Sequence, residues 1–273
     1  MILETLATNA PVFFLIFVRI YALLRVSPIT SSSSVPGIAR IAVVFFASFA
    51  VFPSVVSEGY AMPSSGLQFI LLAVGEMLIG ILTGLFLVIL FAVFQLAGQF
   101  FSLQMGFGAS QVFDPLAQIE IPLVGQFLNL IAMMVFVMSG GLQKIFLHGV
   151  LGSFGAMRAV DLASAQGDIF LLVASSLSAL FAQSLVLAFP ILGTLFLLQI
   201  TMGLFGKAAP QMNLLMLGFP AAIGIAFTLI LLILPLLVEA FEAVIDGAFA
   251  NIELLLSGTT RAAEVFGLSG GAP

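Results

Sequence analysis

Apolar residues run along this chain in blocks, separated by short polar punctuation. Six blocks can be marked off: 11–26, 38–56, a third beginning near Leu67, 123–139, 169–205 and 214–238. A membrane-crossing helix needs about 20 mainly apolar residues. The third block stays free of charge from Met77 to Phe113, which predicts a long helix followed by a non-helical stretch. The fifth is also overlong, and Pro190 near its middle predicts a kink. The separators are "SPITSSSSVPG", "GYAMPSSG" and the tight turn "GKAAPQMN", with a wetter connector, 141–168, carrying Lys144, His148, Arg158, Asp161 and Asp168. In hydrocarbon, helices satisfy their own backbone groups. The pattern therefore predicts an all-α integral membrane protein of about six long, partly kinked helices, with no internal repeat and no separate soluble domain.

Composition agrees. The chain is 62% hydrophobic and 7% charged, with a mean hydropathy of +1.30, whereas a soluble domain carries roughly 25% charged residues. There are 29 Phe, 2 Tyr and no Trp. Trp and Tyr usually anchor a protein at both membrane interfaces, so their scarcity fits a surface that faces other proteins, or equally a habit of the source organism. With no cysteine, disulfides and thiolate metal sites are excluded. A thinly spread net charge of −5 argues against nucleic acid as a partner. The start, "MILETLATNAPVFF", has an acid where a secretory signal would need basic residues, so the first block is expected to be retained. Lys and Arg in short loops mark the cytoplasmic side. Arg25, Arg40 and Lys207 on one side nearly balance Lys144 and Arg158 on the other, and the Lys207 hairpin is placed in the cytoplasm.

Arg19 and Glu76 fall inside apolar segments. A lone charge at mid-bilayer costs about 2.5–3.5 kcal/mol on insertion scales, so such groups face protein or water. Glu76 is expected either at an interface or, if deeper, beside a partner such as Arg19. Gly80 and Gly84 in "EMLIGILTGLF" lie one turn apart, a spacing that lets helix backbones approach closely. "QMGFGASQVFDP" (104–115), with Pro122 beyond it, is poorly suited to regular helix. It is either an ordinary external loop or a re-entrant segment lining a path, since irregular backbone at membrane depth must be covered by protein or border a cavity. Near the C-terminus, Glu239, Glu242, Asp246 and Glu253 are expected on one helix stripe opposite Phe241, Ile245 and Phe249.

Catalytic signatures are absent from the sequence. His148 is the single histidine, HExxH and the GxxxxGK[ST] phosphate loop do not occur, and Asp114 has no second acid to form an aspartyl pair. The chain is expected to be no enzyme and to need no cofactor or metal. Energy for any transport would come from another subunit or an ion gradient.

"LFGKAAPQMNLLMLGFP" (204–220) resembles the Ala-Pro-Gln-Met/Leu-Asn…Gly-Phe-Pro signature of the FliR family of flagellar type III export-gate proteins, and "GFGASQVFDP" resembles that family's Gly-Phe…Asp-Pro segment. Arg19, Pro28, Val35-Pro36, Arg40 and the Glu76, Gly80, Gly84 spacing match in the same order, over about residues 10–240. Ala221 and Ala222 depart from it, standing where the family commonly has a basic residue. The resemblance implies a bacterial inner-membrane, flagellar basal-body protein that assembles with FliP and FliQ homologues beside FlhB and FlhA homologues. It divides the chain into FliP-like helices (10–140), the polar connector (141–168), a FliQ-like hairpin (169–240) and a tail (241–273), wound with its partners into a helical assembly. The loop containing Gly106, Phe107, Gly108, Gln111, Phe113, Asp114 and Pro115 would plug a pore for unfolded flagellar export substrates. Lys207, Pro210, Gln211 and Asn213 would form the hairpin's contact with FlhB. A virulence-type secretion subunit, a six-span secondary transporter and a non-conducting scaffold stand as alternatives.

Overall fold

The computed structural model describes residues 8–30, 35–57, 59–60, 62–106, 123–160, 162, 166–211 and 213–256, except the side chains of 156, 168, 214, 215 and 251–256. The described residues are helices and turns, without strands. In order these are α1 (Ala10–Val26), α2 (Gly37–Ser57), α3 (Gly66–Gln104), α4 (Leu123–Met138) and α5 (Gly141–Lys144). A π-helical turn (Ile145–Leu151), α6 (Gly152–Ala156), α7 (Gln166–Ala208) and α8 (Leu214–Leu256) follow.

Local chemistry accounts for several boundaries. Pro11 sits in the first turn of α1, where a missing N–H costs nothing, and Arg25 sits in its last turn against the negative end of the helix dipole. Gly140, at φ +74, separates α4 from α5, a conformation that only glycine adopts cheaply. Asn213 accepts the Met216 N–H with its side chain and so caps α8. The hydroxyls of Ser48, Thr83 and Ser102 are buried, and each donates to the carbonyl four residues back, which lets a polar atom sit in an apolar helix.

Among the described residues, four helices are long and apolar enough to cross a membrane, α2, α3, α7 and α8; α4 with the short helices after it would make a fifth if counted as one broken span. At 17 residues, α1 is shorter than those four. At 39, 43 and 43 residues, α3, α7 and α8 extend about 58–65 Å, roughly twice the hydrocarbon thickness. Pro190 lies within α7, which is helical on both sides of it. The stretch expected as a polar connector is helical over 141–156, because Ile145, Gly149, Val150, Ser153 and Phe154 recur on one buried face.

The chain forms two compact units. One comprises Met1–Ile89, Gly140–Leu177 and Asp246–Pro273, and the other Leu90–Ser139 and Ser178–Ile245. In the first, α1 buries Leu15, Ile16, Ile20 and Leu23, and Phe13 meets Phe45 and Phe52 of α2 edge-on, at 5.7 and 5.8 Å between ring centres. In the second, aromatic rings carry the core: Phe91 lies 5.3 Å from Phe136, and Phe94 lies 4.3 Å from Phe241. Phe241, Ile245 and Phe249 of α8 are buried, while Glu239, Glu242 and Asp246 are exposed.

Burial is uneven among the spans. In the most apolar stretch of α3, 61% is buried within the chain, against 22% in α7 and in α8. Large side chains such as Phe181, Phe189, Phe196 and Leu204 of α7 therefore stand exposed, in need of lipid or protein cover.

Candidate functional site

The first cluster lies in the unit built from the chain's beginning. Arg19 and Glu76, both set within apolar segments, are buried and form an ion pair through Arg19 Nε and Glu76 Oε2. The other Glu76 oxygen accepts a hydrogen bond from the Tyr60 hydroxyl. The remaining guanidinium nitrogens donate to Ser153 Oγ at 3.1 Å and to the Met157 carbonyl at 2.9 Å. The face of the guanidinium lies 4.0 Å from the centre of the Phe154 ring. Burying two charges is tolerable only when each is paired and its remaining hydrogen-bonding groups are satisfied, and this arrangement meets that condition. It ties together α1, the loop after α2, α3 and the segment around α6.

Tyr60 lies outside the spans. Burial, then the Glu76 carboxylate and its hydrogen bond, push the phenol above its usual range, with Arg19 and Arg158 opposing weakly. Both carboxylate oxygens of Glu76 are engaged, and among the described residues no three His, Cys, Asp or Glu side chains converge to hold a metal. The geometry is that of a clamp.

Gly80 and Gly84 lie directly beneath this cluster on α3. A Cβ on Gly80 would collide with the Arg19 carbonyl oxygen and come within 2.9 Å of Ala22 Cβ; one on Gly84 would come within 2.8 Å of Val26 Cβ and 3.0 Å of the Leu23 carbonyl. The glycine stripe seats α1 on α3, so the backbone that carries Arg19 is held against the helix that carries Glu76. Gly75 does the same for Ala159, whose Cβ is 2.7 Å from where a Cβ would stand.

The second cluster lies in the other unit. α3 ends at Gln104, and Gly106 follows at φ +88. A Cβ on Gly106 would run into the ring of Phe219. Thus the first glycine of "GFGASQVFDP" and the phenylalanine of "GFP" are in contact, a link that sequence position did not reveal. Phe107, Gly108, Gln111, Phe113, Asp114 and Pro115 lie outside the described residues. Lys207, Pro210, Gln211 and Asn213 are exposed around the α7–α8 turn. Farther along α3, Gly98 meets the backbone of Gly125 of α4.

Sequence reasoning missed Tyr60, Ser153, Phe154 and Met157. The spacing of apolar residues at 145, 150 and 154 is a signal for the helix that carries Ser153 and Phe154, but the flanking Lys144, Arg158, Asp161 and Asp168 drew the whole stretch into a polar connector. Nothing local marks Tyr60.

Comparison with known proteins places these features. Residues 10–248 match the family described as Bacterial export proteins, family 1. The chain is 30% identical to the flagellar biosynthetic protein FliR of Bacillus subtilis (strain 168) over 225 residues, which is 81% of this chain and 85% of that one. It is 26% identical to FliR of Escherichia coli (strain K12) over 245 residues, 90% and 92% of the two chains. The same comparison with FliR of Aquifex aeolicus (strain VF5) gives 30% over 223 residues, 81% and 84%. The matched span takes in the buried charge cluster and the Gly106–Phe219 contact alike, and the chain belongs to the bacterial export proteins, family 1, alongside the flagellar biosynthetic protein FliR.

Proposed function

We propose that this chain is a membrane component of flagellar protein export, helping to form the pore through which unfolded flagellar proteins cross the cytoplasmic membrane. The observation that carries this reading is the family match over residues 10–248, with relatives named for flagellar biosynthesis. That name favours the flagellar system over a virulence-type one. The chain is a structural part of an export apparatus and not an enzyme. Cells that lack it should neither secrete flagellar proteins nor swim, and re-expression should restore both. Normal secretion in its absence refutes the reading.

In this reading the exposed apolar faces of α2, α7 and α8 are covered in part by FliP and FliQ homologues, in the inner membrane at the flagellar basal body. The segment from Gly106 to Pro115 stops the path at rest. It carries Phe107 and Phe113 as apolar obstructions, glycines at 106 and 108, and no basic residue to hold back a passing chain. Deleting 106–113 should raise ion leak through the assembled gate, and unchanged conductance rules the assignment out. The α7–α8 turn, with Lys207, Pro210, Gln211 and Asn213 exposed, faces the cytoplasm and meets an FlhB homologue, with FlhA nearby. Substituting Lys207 and Gln211 should reduce co-purification with the FlhB homologue, and an unaffected pull-down removes that contact.

A further inference from the structure

Where α3 ends, a cavity of about 240 Å³ opens between that helix end, α7 and the start of α8. Its lining is mostly apolar and uncharged, with Met105, Leu198, Met202 and Phe219, and Gln104 and Gln199 are its polar residues. A cavity of about 150 Å³ lined by apolar side chains already admits benzene, so this one has room for a leucine, methionine or phenylalanine side chain. We infer that it is a receiving site for one large apolar side chain of an extended polypeptide, with the two glutamines hydrogen-bonding that polypeptide's backbone. The inference rests on the reading of the chain as an export component, and names a place within it where the exported chain is held.

One feature favours a polypeptide over a lipid tail, and two more suit a polypeptide of varied sequence. An acyl chain offers the amides of Gln104 and Gln199 no partner, whereas an extended backbone presents a donor and an acceptor at every residue. Methionine is unbranched and polarisable and repacks around side chains of different shape, which suits a site that must accept many sequences. The lining carries no charge, so neither acidic nor basic stretches are trapped as they pass.

The test uses the assembled apparatus in membranes with an export substrate stalled in transit by a folded C-terminal domain. A photo-crosslinking residue at Met202 should capture the stalled polypeptide, while one at Leu197, exposed on α7 and not part of the lining, should not. Replacing Leu, Met and Phe in the stalled stretch by Ser should lower the Met202 yield about tenfold, the effect of losing one buried side chain. Gly218 borders the cavity and a Cβ there meets nothing within 4 Å, so Gly218→Leu should fill the cavity and lower the yield similarly. Co-purification of the variant with its partner subunits checks that it still assembles. Capture of lipid or of a neighbouring subunit alone, equal capture from 197 and 202, no capture, or indifference to the Ser replacements each overturns the proposal. If secretion depends on the chain yet these results fail, only the pocket falls; if secretion proceeds without the chain, the export reading falls.

Discussion

The buried Arg19–Glu76 pair invites the most demanding experiment. Glu76→Gln keeps the side chain's shape while removing the charge that compensates a guanidinium which is itself fully buried. Breaking a buried pair from one side costs about 3–5 kcal/mol. Arg19 retains Ser153, the Met157 carbonyl and the Phe154 ring, which places the expected loss at the low end, about 3 kcal/mol. For a chain of this size each kcal/mol moves the melting temperature by about 2–4 °C, so a drop of about 6–12 °C is expected. Arg19→Met should be similarly harmful. The double variant Arg19→Met/Glu76→Leu should be less damaged than the sum of its parts by at least about 2 kcal/mol, because it leaves no orphaned charge. Tagged chain in detergent, heated in steps and followed by size-exclusion chromatography with fluorescence detection, provides the readout. Additive effects, or single variants within about 0.5 kcal/mol of the parent, refute the clamp, since surface-like sites behave that way.

Three further outcomes follow from the same geometry. Tyr60 has a raised folded-state pKa, so its contribution is fully present below the ordinary tyrosine value of about 10 and is lost as pH rises beyond it; Tyr60→Phe should lack that alkaline loss in melting measured against pH. Gly80→Val should destabilise by about 1–3 kcal/mol or more, since its side chain would enter the Arg19 backbone, while Gly37→Ala, where a Cβ meets nothing, should stay near the parent in the same heat challenge. Lys144 and Asp246 form a partly exposed ion pair, so Lys144→Ala should change stability by less than about 1 kcal/mol, with salt erasing what difference there is.

The exposure of α7 and α8 explains why so much of this chain reads as membrane yet so little reads as core. In a soluble protein, the contrast between apolar and polar positions marks which face turns inward. Here both faces of α7 are apolar, and side chains such as Phe189 and Phe196 remain uncovered within the chain. Hydropathy finds such a helix and says nothing of its rotation. On α8 the acids restore the contrast, and the burial of Phe241, Ile245 and Phe249 opposite Glu239, Glu242 and Asp246 was legible from spacing alone.

Sequence by itself determined the solvent, the all-helical class and the location of each long helix, because those depend on runs of apolar residues and on the turn chemistry between them. It also singled out Arg19, Glu76, Gly80 and Gly84, since charge and absent side chains are conspicuous in hydrocarbon-like blocks. Only the tertiary structure decided what those residues do together. Glu76 is 57 positions from Arg19, and Ser153 is 134; spacing along a helix carries no information across such distances. The same holds for Gly106 and Phe219, each conspicuous in its own motif and joined only where α3 ends against α8. A buried charge must find its partners wherever the packing brings them, and packing is a property of the folded chain as a whole.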